Sequence, residues 1–218
     1  IYTLSLHDAL PIFGILCAVF LVWFCPKRLY KIIKPAVELL AGIPSIVYGF
    51  FGLMVLVPIM QSLFGGGGKG ILTASILLGI MILPTIIGVS ESAINAVPSS
   101  YYEGSLALGD SHERSVFFAT LPAAKSGIMA GVILGVGRAI GETMAVLMVT
   151  GNAAVIPVSI LEPLRTIPAT IAAELGEAPA GGPHYQALFL LGVVLFFITL
   201  IINFSVEYIS SKGLKRSK

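Results

Sequence analysis

Long apolar runs separated by polar segments dominate the pattern of this chain. A helix needs roughly 20 apolar residues to cross a bilayer, and four of the runs reach that length while a fifth is shorter. The predicted spans are residues 12–25, 38–60, 71–95, 128–150 and 187–207. Two longer polar segments, 96–127 and 151–186, lie between them. The pattern therefore predicts an all-α polytopic membrane protein with five spans, the first of them incomplete.

Composition agrees with this prediction. Of 218 residues, 56% are hydrophobic and 11% are charged, and the mean hydropathy is +0.98. A soluble domain carries about 25% charged residues, and a disordered chain is polar, so both classes are excluded. The net charge of +2 is too small to indicate a nucleic-acid partner. We interpret Cys17 and Cys25 as apolar filler.

The first apolar run is preceded by a segment that does not fit a membrane helix. His7, Asp8 and Pro11 stand where the helix should continue. The string from Leu4 to Ile12 resembles a translated sequencing adapter. We therefore interpret residues 1–12 as a non-native segment without functional role, and expect residues 13–218 to form the transmembrane domain.

Basic residues predict the orientation of the chain. Lys69 and Arg165 alone occupy the loops 61–70 and 151–186, and Arg138 lies inside a span. By the positive-inside rule those two loops are external. The cytoplasmic side, which includes the C-terminus, receives the other basic residues: Lys27, Arg28, Lys31, Lys34, Arg114, Lys125, Lys212, Lys215, Arg216 and Lys218.

The sequence offers little that would support catalysis. The three histidines, His7, His112 and His184, lie outside the spans, so we predict no catalytic or metal site within the membrane. The glycine-rich segment 65–70 lacks the spacing of a phosphate-binding loop. We therefore expect a chain without cofactor that is not an enzyme and does not hydrolyse nucleotide by itself.

The polar segment 96–127 predicts two short helices on either side of Gly109, because glycine favours the left-handed conformation that ends a helix. Its apolar side chains indicate a partner surface. They are Leu106, Leu108, Val116, Phe117 and Phe118. Glu103, Gly109 and Leu121-Pro122, followed by a helix opening at 123–128, resemble the coupling-loop signature of bacterial ABC importer permeases. The resemblance implies that this loop docks on a dimeric ATP-binding subunit in the cytoplasm.

Three further segments narrow the resemblance. Residues 38–49, 138–145 and 163–171 resemble phosphate importer permeases of the PstC type. This implies the type I, MetI-like permease fold with six helices, of which we expect the first to be missing here. It also implies a multi-pass protein of the bacterial inner membrane that forms half of a phosphate pathway. The other half is a second, homologous permease, and an external or periplasmic phosphate-binding protein delivers the substrate, with membrane lipid surrounding the spans.

Arg138 and Glu142 are the candidate substrate residues. Both lie near the middle of the span 128–150, where a charge costs roughly 2.5–3.5 kcal/mol. Their i,i+4 spacing predicts that they share one helical face and pair. Two interpretations remain open. The pair fixes helix packing only, or Arg138 presents its planar fork of donors to a tetrahedral oxyanion while Glu142 restrains it.

Neutral contacts to the substrate are expected from Ser45, Tyr48, Thr85 and Thr143, whereas Glu91 and Glu207 reach the interface and receive no substrate role. Glycines repeating every fourth residue from 127 to 135 predict close helix packing.

Three alternative functions stay open. They are a permease for sulfate or molybdate, a secondary transporter in which Glu142 carries a proton, and a membrane scaffold.

Overall fold

The computed structural model describes the backbone of residues 2–215 and the side chains of residues 10–204. Apart from one isolated bridge between Gly151 and Leu164, the described secondary structure is helical. The all-α prediction is therefore confirmed. The chain divides into two compact units, one built mainly from 43–81 and 137–204, the other mainly from 8–42 and 82–136.

Ten helices make up the described part of the chain. In order they are α1 (Tyr2–Val19), α2 (Lys27–Gly42), α3 (Ser45–Phe64), α4 (Ile71–Asn95), α5 (Ser99–Ala107), α6 (His112–Ala123), α7 (Lys125–Ile140), α8 (Met144–Val149), α9 (Ile167–Glu174) and α10 (Pro183–Lys215). Among them α3, α4 and α10 are long and apolar enough to cross a membrane, and α6 and α7 are so together, with a 69° bend.

Three of the helical stretches contain a wider, π-helical turn. These turns are Phe20–Phe24, directly after α1, Gly52–Leu56 within α3, and Ser115–Thr120 within α6. A π-helical turn closes its hydrogen bonds over five residues instead of four, so it holds one extra residue.

Two predicted helix starts differ from the structure. Helix α1 begins at Tyr2 and runs through Pro11, so the break expected before residue 12 does not occur. The span predicted at 38–60 begins at Ser45, because Pro44 has an extended backbone with ψ 143° and proline restricts the residue before it. Residues 27–42 form the separate helix α2. Helix α4 has the bounds predicted for the third span.

The first unit is held by close packing between α3 and α8. Tyr48 of α3 is buried with Ala145 and Val149 of α8 in one hydrophobic cluster. A Cβ atom on Gly49 would lie 2.9 Å from both the Ala145 Cα and the Met148 Sδ. Only glycine therefore lets the two helices approach to this distance.

The second unit uses the predicted glycine stripe in the same way. Gly127, Gly131 and Gly135 lie against α4. A Cβ on Gly135 would come 2.9 Å from the Ile86 Cγ1, and one on Gly131 would come 3.1 Å from the Val89 Cβ. The prediction that these glycines are packing positions is confirmed.

Candidate functional site

The span predicted at 128–150 is not one continuous helix. Helix α7 ends at Ile140 and α8 begins at Met144, which leaves residues 141–143 outside regular helix. The prediction that Arg138 and Glu142 share one helical face is therefore wrong. No ion pair joins them, although both lie in the described part of the chain. Gly141 has low helix propensity and marks the start of the break.

Side chains at the break bind the backbone groups that it frees. The Ala145 N–H donates to the Glu142 Oε1 over 3.2 Å, and the Thr143 Oγ1 donates to the Gly141 carbonyl, also over 3.2 Å. Hydrocarbon offers no water to satisfy such groups, so partners of this kind are needed at membrane depth. Glu142 thus stabilises the first turn of α8, a role that the sequence did not indicate.

Glu142 also lines a small pocket within the first unit. The pocket has a volume of ≈ 150 Å³, and its wall includes Ser75, Thr150 and Thr166. Two of the three hydroxyls are engaged, since Thr150 donates to the Val146 carbonyl at 2.9 Å and Thr166 accepts from the Ala169 N–H at 3.4 Å. The pocket is therefore mainly apolar with one acidic side chain.

Arg138 lies in the last turn of α7 and is half-buried. Among the described residues it has no carboxylate within 4.0 Å and no side-chain hydrogen bond. Within residues 10–204, whose side chains the structure describes, no acidic group therefore neutralises its guanidinium. The predicted contacts Ser45, Tyr48 and Thr143 belong to the same unit as Arg138, whereas Thr85 belongs to the other unit.

The predicted coupling segment has the expected local structure. Helix α5 ends at Ala107, and Gly109 follows with φ +92°, as predicted. Ser111 then caps α6 by accepting from the Arg114 N–H. The Asp110 carboxylate fixes the turn, since it accepts from the Ser105 Oγ at 2.8 Å and pairs with the Arg114 Nε at 2.9 Å.

The coupling segment exposes a strong apolar surface. Leu108 is 89% exposed and Phe118 is 75% exposed, and the Arg114 guanidinium lies 5.5 Å from the Phe118 ring centre. Glu103 and Pro122 are exposed, and Leu121 is half-buried. Val116 was predicted to belong to this surface, but it is buried in the core of the second unit.

An aromatic cluster ties the coupling segment to the helical stretch that ends at Phe24. The Trp23 and Tyr102 rings are 4.5 Å apart, and the Tyr102 hydroxyl lies 2.8 Å from the His112 Nδ1. Phe24 packs edge-on against His112 at 5.1 Å. Sequence reasoning missed this cluster because its members come from three separate segments.

Glu91 was predicted to reach the interface, and the structure buries its carboxylate within the protein. Its side chain is 3% exposed and binds two groups of α2, the Tyr30 hydroxyl and the Lys34 ammonium, each at 2.6 Å. The hydrogen bond to Glu91 raises the pKa of Tyr30 above its ordinary value of 10.0 and that of Lys34 above 10.5. Lys34 also lies 3.5 Å from Glu38.

The segment after α8 is organised by charged contacts. Arg165 donates from Nε to the Asn152 carbonyl at 3.1 Å and forms an ion pair with Glu174. The His184 Nε2 lies 3.2 Å from the other oxygen of Glu174. Within this segment lies the short helix α9.

Comparison with known proteins identifies the family. Residues 11–213 match the model of the binding-protein-dependent transport system inner membrane component. The phosphate transport system permease protein PstC of Mesorhizobium japonicum is 41% identical over 220 residues, which cover 92% of this chain and 67% of that protein. The "Probable ABC transporter permease protein YqgH" of Bacillus subtilis is 39% identical, with 96% and 68% covered. The chain thus spans about two thirds of the length of these relatives.

Solved structures agree with the fold. In the MetNI methionine ABC transporter, an inward-facing chain matches with a TM-score of 0.72 at 19% identity, covering 97% of this chain and 92% of that one. A bacterial ABC transporter for alginate import gives a TM-score of 0.67 at 15% identity, with 96% and 77% covered. The fold is therefore that of ABC importer permeases. This chain belongs to the family of binding-protein-dependent transport system inner membrane components.

Proposed function

We propose that this chain is a permease subunit of an ATP-driven importer of inorganic phosphate. It forms half of the transmembrane pathway, and a homologous permease forms the other half. A pair of cytoplasmic subunits hydrolyses ATP, and an external binding protein delivers phosphate. The names of the relatives from Mesorhizobium japonicum and other bacteria support phosphate as the substrate.

The observation that carries the proposal is the state of Arg138. A cation in a membrane-spanning region is costly, and such residues usually mark a substrate pathway. Glu142 is occupied by the backbone of α8 and does not pair with Arg138. Among the described residues nothing else engages the guanidinium donors, and they can bind a tetrahedral oxyanion through two parallel hydrogen bonds. Thr143, Ser45 and Tyr48 supply neutral groups in the same unit.

Coupling to the ATPase is assigned to the segment from Glu103 to Pro122. Its exposed Leu108 and Phe118 give a docking surface, and the tight turn at Gly109 presents it. The cluster of Trp23, Tyr102 and His112 gives the docked segment a contact with the apolar helical stretch that ends at Phe24.

Orientation follows from the basic residues. Lys27, Arg28 and Lys31 of α2 and Arg114 of α6 lie on the proposed cytoplasmic side, and Lys69 and Arg165 on the outside. The C-terminal basic cluster from Lys212 to Lys218, which we also assign to the cytoplasm, lies outside the described side chains.

The test is phosphate uptake by variants in cells that lack other phosphate importers. Arg138→Met removes a charge-assisted bidentate contact worth about 1.5–3 kcal/mol, so uptake should fall about ten- to a hundredfold at equal membrane levels. Leu134→Met, one turn earlier on the same helix, is the matched control and should leave uptake unchanged. Glu142→Gln keeps an acceptor for the Ala145 N–H, so this variant should assemble normally.

The remaining alternatives give different results in the same cells. Near-normal uptake by the double variant Arg138→Met with Glu142→Gln would show that both residues act only in helix packing and not in transport. If sulfate or molybdate at equal concentration inhibits phosphate uptake, the substrate is that oxyanion and not phosphate alone. Uptake that persists with a catalytically inactive ATPase, but stops when the proton gradient is dissipated, would indicate proton-coupled transport.

A further inference from the structure

Helix α2 combines a basic end with an apolar stripe. It carries four basic residues, Lys27, Arg28, Lys31 and Lys34. Two residues separate it from the apolar helix that ends at Phe24, and two separate it from the membrane-crossing helix α3. Because α2 connects two apolar helices of a membrane protein and carries both charged and apolar side chains, it has the character of a helix at a membrane surface.

The rotation of α2 about its own axis is fixed. Tyr30 and Lys34 lie one helical turn apart, and both bind the buried carboxylate of Glu91 on α4. Two contacts of 2.6 Å from adjacent turns to one carboxylate define which edge of α2 faces α4. Because this edge is fixed against α4, the residues of α2 that face away from α4 are fixed as well.

The fixed rotation leaves an apolar stripe uncovered. Ile32 is 69% exposed and Leu39 is 74% exposed, and these two residues are seven apart, so they lie on the same side of the helix. Leu29 is exposed beside them. Helix α2 has no buried residue, which distinguishes it from a helix of a protein core.

Three cations lie in the first two turns of the same helix; Lys27 and Lys31 are off the apolar stripe, and Arg28, one turn before Ile32, is in line with it. Lys27, Arg28 and Lys31 are exposed, and within the described part of the chain none has an acidic group within 4.0 Å. Lys34, by contrast, contacts both Glu91 and Glu38. Three unneutralised cations in five residues, next to an apolar stripe, are typical of a helix at the headgroup level.

We propose that α2 is a binding surface for anionic phospholipid. Lys27, Arg28 and Lys31 contact the phosphate headgroups, while Leu29, Ile32 and Leu39 enter the boundary of the acyl chains. Glu91 is the anchor that sets this orientation through Tyr30 and Lys34. Charge complementarity favours lipid over a protein partner, because an anionic leaflet attracts each nearby cation by about 1 kcal/mol, which corresponds to about fivefold in affinity.

The first experiment asks what covers the apolar stripe. A spin label is placed at Ile32→Cys, with Cys17 and Cys25 replaced by alanine, in the full transporter complex reconstituted with phosphatidylglycerol. We expect the label to be accessible to oxygen and protected from a water-soluble nickel chelate. Protection from both reagents would indicate a protein partner, and accessibility to the chelate would indicate water. Either result overturns the proposal.

The second experiment tests the charge. Photoreactive phosphatidylglycerol and phosphatidylcholine are cross-linked to the reconstituted complex, and the ratio of labelling on a peptide containing α2 is measured. The ratio should favour phosphatidylglycerol by about tenfold or more, and fall to near one in the triple variant Lys27→Gln, Arg28→Gln, Lys31→Gln. The charge-preserving pair Lys27→Arg with Lys31→Arg should keep the preference. An unchanged ratio in the triple variant would refute the role of the cations. Neither readout depends on phosphate transport.

Discussion

Removing Lys34 from the buried carboxylate of Glu91 tests the energetics of the second unit. Lys34→Met leaves the Glu91 carboxylate, which is 3% exposed, with the Tyr30 hydroxyl as its one remaining side-chain partner among the described residues. Stranding a fully buried ion costs about 3–5 kcal/mol. Because the Lys34 side chain is 25% exposed, part of its attraction is screened, and we expect a loss of about 2–3 kcal/mol.

A double-mutant cycle separates the pair from its parts. Glu91→Gln leaves Lys34 beside Glu38, so it should cost less than Lys34→Met. The combined variant should be more stable than the sum of the two single losses by about 1–2 kcal/mol, since it no longer strands the carboxylate.

The assay is thermal unfolding of the purified complex at neutral pH, followed by the loss of the folded species. For a chain of about this size, 1 kcal/mol shifts Tm by about 2–4 °C, so Lys34→Met should lower Tm by about 4–12 °C. Lys31→Met, an exposed cation on the same helix, is the control and should shift Tm little. Additive single losses, or a Lys34→Met variant as stable as wild type, would contradict the geometry described for Glu91.

Three further predictions follow from the same structure. The raised pKa values of Tyr30 and Lys34 mean that the folded state holds both protons more tightly than the unfolded state. This stabilisation is complete below pH 10 and is lost as the pH rises beyond it. In Glu91→Gln, Tm measured against pH should therefore fall less steeply above pH 10. Gly49→Ala should destabilise the complex by about 1–3 kcal/mol because its Cβ meets α8, whereas Gly42→Ala, with open space around it, should not. Gly109→Ala forces alanine to φ +92° and should lower ATP-coupled uptake, while Gly104→Ala, within α5, should not; equal uptake by both variants would remove the requirement for the turn.

Hydropathy located the long apolar helices α3, α4 and α10 but not the interruptions of the helical backbone. Helix α4 has its predicted bounds because its ends coincide with a change from apolar to polar residues. The span predicted at 128–150, by contrast, was extended through Gly141, Glu142 and Thr143, where the helix breaks. Gly141 is compatible with a helix break but also with close helix packing, and the hydrogen bonds of Glu142 and Thr143 that stabilise the break appear only in three dimensions.

Features that depend on one short segment could be predicted from the sequence. Contacts between residues far apart in the sequence could not. The turn at Gly109 follows from the conformational freedom of one residue, and the glycine stripe of α7 from its four-residue period. Glu91 and Tyr30 lie 61 positions apart, so no pattern within either segment indicates their contact. Arg138 and Glu142 were predicted as a pair on the assumption of an unbroken helix, which the structure does not support.

The π-helical turns have a consequence for how the length of this chain can vary. Each of them holds one residue more than an α-helical turn, so deleting a single residue from Gly52–Leu56 would convert the turn to regular α-helix. The residues on both sides would keep their faces toward the same neighbours, because the surplus residue alone is lost. Homologous chains that are one residue shorter within Gly52–Leu56 or Ser115–Thr120 can therefore retain the same packing, and sequence alignments should allow single-residue gaps there before anywhere else in the helices.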